Sequence, residues 1–191
     1  MWPWEHLAVG YLAYSMLARA RTGEPPGGAA ALVVAVATQL PDLIDKPLAW
    51  TFGVFPGGYS VGHSIFVASG LSTLAVAVAR RRGRPELGVA FAVGYLSHLP
   101  ADLLFLYVVE GYLTPAIVVW PAVPAIAGTA GGGLVAHVVT FLEAYARSLA
   151  GGRLVGFALV EVALLVGALV AWLRDGRPGV GNIRRGLGGV G

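Results

Sequence analysis

Residues 87–109 read LGVAFAVGYLSHLPADLLFLYVV, a run with no lysine, arginine or glutamate and, tyrosines aside, two ionisable side chains, His98 and Asp102. A bilayer core takes about 20 apolar helical residues to cross, so this run predicts a membrane helix. Ionisable groups inside such a helix are costly and by default mark function. His98 and Asp102 are four residues apart, which puts them on one helix face.

The rest of the chain has the same character. Of 191 residues, 57% are hydrophobic and 12% charged, with mean hydropathy +0.74. Soluble chains carry roughly twice that share of charge. Further apolar runs cover Ala29 to Leu40, Ser64 to Ala79 and Leu154 to Leu173. A soluble protein of this length would lack the polar surface to cover them. The expected fold is therefore all-α, a polytopic helical membrane protein of about five to seven helices. A single domain is expected over 1–173, followed by a Gly/Arg-rich tail over 174–191 that is expected to be disordered near lipid headgroups.

The net charge of +3 comes from arginines in short loops, which points to membrane orientation and not to nucleic-acid binding. Cysteine is absent, which excludes disulfides, thiolate metal sites and a cysteine nucleophile. The start, Met-Trp-Pro-Trp-Glu-His, has no basic region of the kind that opens a cleaved signal, so the first helix is expected to stay in the membrane.

Helices are expected over 5–20, 28–45, 63–80, 87–109, 112–127, 132–149 and 153–173. Breakers separate them, among them Gly23 to Gly28, Pro47, Gly53 to Gly62 and Gly131 to Gly133. Arg19 and Arg21 follow the first helix, and Arg80, Arg81, Arg82 and Arg84 separate the third from the fourth. The positive-inside rule makes both loops cytoplasmic. The N-terminus and the 46–62 loop then face outward, with Trp2, Trp4 and Trp50 as interface anchors. In the preferred arrangement the segments over 112–127 and 132–149 both span. The tail arginines Arg174, Arg177, Arg184 and Arg185 are then cytoplasmic, while Arg147 and Arg153 are left outside.

Depth follows from a rise of about 1.5 Å per residue. His6 precedes Arg19 by 13 residues, roughly 20 Å, and Asp42 follows Gly28 by 14, roughly 21 Å. His63 precedes Arg80 by 17, roughly 25 Å, and His98 follows Glu86 by 12, roughly 18 Å. Four separate helices thus bring His or Asp to nearly one level on the side away from the cytoplasm. Asp45 and Asp102 lie about a turn further out on the faces of Asp42 and His98. Pro41 is expected to open the second helix at this level, and Pro47 to help end it.

Taken singly, each residue has an ordinary explanation: a cap, a solvated terminus, a helix start at His63-Ser64. Together, imidazoles and carboxylates without thiolate suit Zn²⁺, with Mn²⁺ or Fe²⁺ as alternatives, as one or two ions. The chemistry expected is metal-assisted hydrolysis, in which bound water has its pKa lowered to about 7 and a phosphoryl or carbonyl oxygen is polarised. Asp45 either shares in the metal site or stands behind it. Ser64 is a nucleophile only if a base activates it, and otherwise a helix cap. Glu143 and Arg147 form an expected i, i+4 ion pair. Glu110, His137 and Glu161 remain outside the set, Glu161 without an identifiable partner.

Glu5-His6, Leu40-Pro41-Asp42-Leu43-Ile44-Asp45, Gly62-His63-Ser64 and Gly94-Tyr95-Leu96-Ser97-His98-Leu99-Pro100-Ala101-Asp102 together resemble the membrane-bound, metal-dependent hydrolases, also described as LexA-binding, inner-membrane-associated hydrolases. The resemblance covers roughly the first 110 residues. More distantly, the order His, Asp, His, then His-x-x-x-Asp is similar to that of zinc-dependent phospholipase C and P1-type nucleases. That likeness implies that His6, Asp42, His63, His98 and Asp102 are metal ligands. Asp45 and Asp102 are the candidate catalytic carboxylates. The chain departs from the likeness at Phe141, where a second His-x-x-x-Glu pair would end four residues after His137. A phosphoester substrate follows, with a lipid headgroup as one form of it. Two other classes fit the same residues: a transporter or channel component that relays protons or ions through them, and a non-catalytic scaffold stabilised by metal.

Overall fold

Pro3 opens the first helix, α1 (Pro3–Thr22), at the position where its missing N–H costs nothing. Glycine Gly23, with φ 76°, closes it. The computed structural model describes residues 1–111, 113–128, 132–151 and 155–183. The Glu110 side chain, Arg153 and the tail from Arg184 onward lie outside the described residues. Six further α-helices follow α1: α2 (Gly28–Ala37), α3 (Leu40–Lys46), α4 (Ile65–Arg81), α5 (Pro85–Glu110), α6 (Leu134–Ala150) and α7 (Val155–Arg174). No strand occurs among the described residues. Three stretches are long and apolar enough to cross a membrane: Gly28–Thr51, Pro85–Val108 and Val155–Arg174. This is the expected all-α membrane architecture.

The second helix departs from expectation in two places. It loosens at Thr38 and Gln39, because Pro41 offers no N–H to the carbonyl four residues back. It does not stop at Pro47. A wide π-turn runs over Pro47–Thr51, with the Phe52 amide donating to the Pro47 carbonyl at 3.0 Å. Proline's fixed φ suits a helix; the widened turn accommodates its missing donor.

α4 and α5 form a hairpin around Gly83, and α5 packs between α4, α2 and α1. Gly94 allows α5 to approach α2 closely, since a Cβ there would stand 2.9 Å from the Ala37 Cβ and 3.0 Å from the Val34 carbonyl oxygen. Small residues at such crossings are how membrane helices gain packing. Val34, Ala37, Ala68, Tyr95 and Leu99 are buried around this contact.

Helix directions are fixed by side chains from distant parts of the chain. Trp4 Nε1 donates to Glu161 at 3.0 Å, and Tyr11, Ser15 and Arg19 all donate to Asp175. α1 and α7 therefore run parallel, and Asp175 ends at the level of Arg19. Tyr14 Oη donates to the Glu86 carbonyl, so α5 starts at that same arginine end.

The expected helix over 112–127 does not form. Pro115, Pro121 and Pro124 deny it donors, and among the described residues one 3₁₀ turn, Pro115–Ile117, remains. α6 does not cross the bundle either. Near its start His137 stacks on Trp50, with ring centroids 4.6 Å apart, while Tyr145 reaches Glu161 and the edge of Trp2. His137 and Tyr145, eight residues apart on α6, thus both lie at the tryptophan end. With neither segment spanning, α7 still ends beside the other arginine loops. The Glu143–Arg147 pair forms on the exposed face of α6.

Candidate metal centre

Four side chains from two helices and a loop converge at the tryptophan end. Asp42 comes from α3, His98 and Asp102 from α5, and His63 from the loop before α4. One ligand atom from each lies within 4.8 Å of the other three, and all four residues are buried. His63 Nε2 stands 3.1 Å from His98 Nε2, 3.2 Å from Asp102 Oδ2 and 3.5 Å from Asp42 Oδ1. His98 Nε2 stands 3.4 Å from Asp102 Oδ2 and 3.7 Å from Asp42 Oδ1. Ligands about 2.0–2.1 Å from one tetrahedral ion are separated by about 3.3 Å, so these spacings suit a first-row divalent metal.

The outer partners of the two imidazoles fix their tautomers. His98 Nδ1 lies 2.7 Å from the Thr38 carbonyl oxygen, which can only accept. The helix loosening at Pro41 occurs at this residue. His63 Nδ1 lies 2.8 Å from Asp45 Oδ2, also an acceptor. Both Nδ1 atoms therefore carry hydrogen, and both Nε2 lone pairs are free to point inward. Two such lone pairs at 3.1 Å repel unless a cation lies between them. Asp42 Oδ1, buried and without a hydrogen-bond partner, points to the same requirement. The donor set fits a divalent metal.

Asp45 is not at the centre. Its carboxylate accepts from Ser60 N, Ser60 Oγ, Gly62 N and His63 N at 2.7–3.0 Å, besides His63 Nδ1. A glycine is required at 62, because a Cβ there would stand 2.6 Å from the Pro41 carbonyl oxygen. Lys46, one turn after Asp42 and above the Trp50 ring, ion-pairs with Asp42 Oδ2, which turns Oδ1 inward. Each of the four but Asp102 is thus oriented by one outer group, as outer partners orient the ligands of metal sites generally.

His6 reaches the cluster from its edge. Its ring stacks on His98 with centroids 3.6 Å apart, and its Nε2 lies 3.2 Å from Asp102 Oδ1. Asp102 is therefore two-faced: Oδ2 meets His63 and His98, while Oδ1 meets His6 and, at 2.7 Å, the Met1 amine. His6 is buried, yet neither ring nitrogen has a hydrogen bond of good geometry. The common depth expected for His6, Asp42, His63 and His98 is realised.

Ser64 caps α4, accepting from the Val67 amide, and its own hydroxyl donates to the Trp120 carbonyl. Its proton is committed, and no base contacts it among the described residues. Glu161 does have partners, Trp4 and Tyr145, from segments too distant in sequence for spacing to connect. The Thr38 carbonyl was equally invisible, since backbone groups leave no residue signature. Asp45 was found by its spacing from Asp42; Lys46, at i+4 from Asp42, was a further outer partner that spacing could have found.

A family model described as YdjM inner membrane protein matches residues 1–175. The chain belongs to the YdjM inner membrane protein family. The matched range contains all six residues of the expected site and ends at Asp175, the residue that ties α7 to α1. The family is one of inner membrane proteins, and the three helices long and apolar enough to cross a membrane agree with that. No curated protein and no solved structure matches the chain.

Proposed function

We propose that this YdjM-family protein is an integral membrane metal-dependent hydrolase that cleaves a phosphoester, with its centre on the extracytoplasmic side. The observation that carries the reading is the convergence of His63 Nε2, His98 Nε2, Asp42 Oδ1 and Asp102 Oδ2 on one point. Imidazole with carboxylate and no thiolate favours zinc, with manganese or iron as alternatives. A divalent cation held there supplies activation of water and polarisation of a phosphoryl oxygen.

The chain's own residues do the rest. Asp45 and the Thr38 carbonyl hold the two imidazoles in the ligating tautomer. Lys46 presents a positive charge at the edge of the cluster, beside Asp42, the most exposed of the four ligands, where an anionic phosphate would dock. Asp102 Oδ1 with His6 Nε2 offers a place for a second ion that shares the Asp102 carboxylate and displaces the Met1 amine from it. The arginine loops at the opposite end support the sidedness through the positive-inside rule. A centre at the level of Trp2 and Trp50 lies near headgroup depth, which makes a lipid phosphoester the nearest substrate.

The test is release of headgroup phosphate from phosphatidylglycerol vesicles, with p-nitrophenyl phosphate as a soluble phosphoester. Release by the wild type and its loss in Asp102→Ala are expected. Metal binding with no release from either substrate would replace the reading with a metal-stabilised scaffold. Flux that follows a proton gradient in liposomes would replace it with a transporter.

A further inference from the structure

A groove apart from the metal centre shares none of its lining residues with the cluster. It lies between α1, α2 and α7 and has a volume of about 440 Å³. Trp4 and Leu7 line it from α1, Leu32 and Ala35 from α2, and Leu165 and Trp172 from α7. The turn over 178–183 closes it at the arginine end, where Gly179 sits against Leu32.

We infer that this groove is a binding site for one acyl chain of a phospholipid from the leaflet at the arginine end. Two of its three walls, α2 and α7, belong to stretches apolar and long enough to cross a membrane, so what meets the groove sideways is the bilayer interior. Trp4 stands level with Glu161, and Trp172 follows Glu161 by 11 residues, roughly 16 Å along α7. An acyl chain reaches about half of a hydrocarbon core of about 30 Å, so the groove has the length of one such chain. The charge at its end matches too. Arg174 and Arg177 are exposed beside the closing turn, while Arg19 is committed to Asp175, so two cations remain for a lipid phosphate. Leaving such a groove empty would forfeit dispersion contacts along all three walls. This inference does not depend on the hydrolase reading.

The experiment uses the full chain in phosphatidylcholine vesicles doped with a phosphatidylglycerol that carries a diazirine at mid-chain. The labelled residues are mapped by mass spectrometry. Labelling of Leu32, Ala35 and Leu165 is expected to saturate as the probe fraction rises. Labelling of Leu71 and Leu74, exposed on α4 and away from the groove, is expected to rise in proportion to it. A diacylglycerol with the same chains, lacking phosphate, should label the groove several-fold less. Ala35→Phe should lower groove labelling and leave α4 labelling unchanged. If that variant misfolds, its α4 labelling changes, and excess unlabelled phosphatidylglycerol, competing with the probe on the wild type, gives the same test. Proportional, uncompeted labelling of the groove would overturn the inference. So would labelling that appears only after removal of residues 184–191, which would make the chain's own tail the occupant.

Discussion

His63 Nε2 and His98 Nε2 face each other at 3.1 Å, while the opposite nitrogen of each ring is held by an acceptor. That pairing is unfavourable for two neutral imidazoles and favourable around a cation. Asp42 and Asp102 add two carboxylate oxygens to the same point. The fold spends buried polar groups here that a membrane helix otherwise avoids.

Asp45→Asn is expected to weaken metal binding by about 10–100-fold and leave the helices in place. An amide cannot accept from all five donors that now meet the carboxylate, so His63 loses its fixed tautomer. A chelator competition titration measures the change, with circular dichroism as the control for folding. An unchanged affinity would show that the carboxylate is not what holds His63.

Lys46→Met is expected to release Asp42 Oδ2 while preserving the side-chain length over Trp50. Metal affinity should fall by about tenfold, at the lower end for an outer partner. Phosphoester release should fall further than metal content does, because the charge that receives the phosphate is gone. Equal losses in the two assays would confine Lys46 to orienting Asp42.

Asp175→Asn tests the tie between α7 and α1. Burial alone would raise the Asp175 carboxyl, but donation from Ser15, Tyr11 and Arg19 outweighs it and holds the carboxyl below its ordinary value. A depressed folded-state pKa contributes stability above the unfolded value of about 3.9, and that contribution is lost as pH falls through the folded one. Hydrogen bonds to a charged group contribute about 1.5–3 kcal/mol each, and solvent around Arg19 reduces its share. The variant should therefore unfold at lower temperature in detergent at pH 7. Its deficit should shrink as pH drops below about 4. A deficit independent of pH would exclude the carboxylate's charge as the cause.

Sidedness is tested with single cysteines at Val54, Thr22 and Gly181. Val54 is exposed at the tryptophan end, and Gly181 has open space for a Cβ. A membrane-impermeant maleimide applied to spheroplasts should label Val54→Cys only. Thr22→Cys and Gly181→Cys should react after permeabilisation. Labelling of Gly181→Cys in intact spheroplasts would mean that α7 does not run parallel to α1 in the membrane.

Much of this arrangement was legible in the sequence. Arginine loops and helical rise placed His6, Asp42, His63 and His98 at one depth, and i, i+4 spacing paired His98 with Asp102. Chain periodicity could not reveal the fates of 112–127 and 132–149. The first is apolar enough to span, but Pro115, Pro121 and Pro124 prevent a helix; the second is held flat by Trp50, Trp2 and Glu161, contacts that exist only after folding. Asp175, the one aspartate outside the motifs, was likewise silent because its partners lie some 160 residues away on α1. The Thr38 carbonyl behind His98 is backbone, and no residue type announces it.

The most direct measurement is the divalent metal content of the protein purified without chelator, by inductively coupled plasma mass spectrometry, for the wild type and for His63→Ala and His98→Ala. At least one zinc, manganese or iron ion per chain is expected in the wild type, and a trace in both variants. A wild type with only a trace, or a content that neither substitution changes, would contradict a metal centre at His63 and His98.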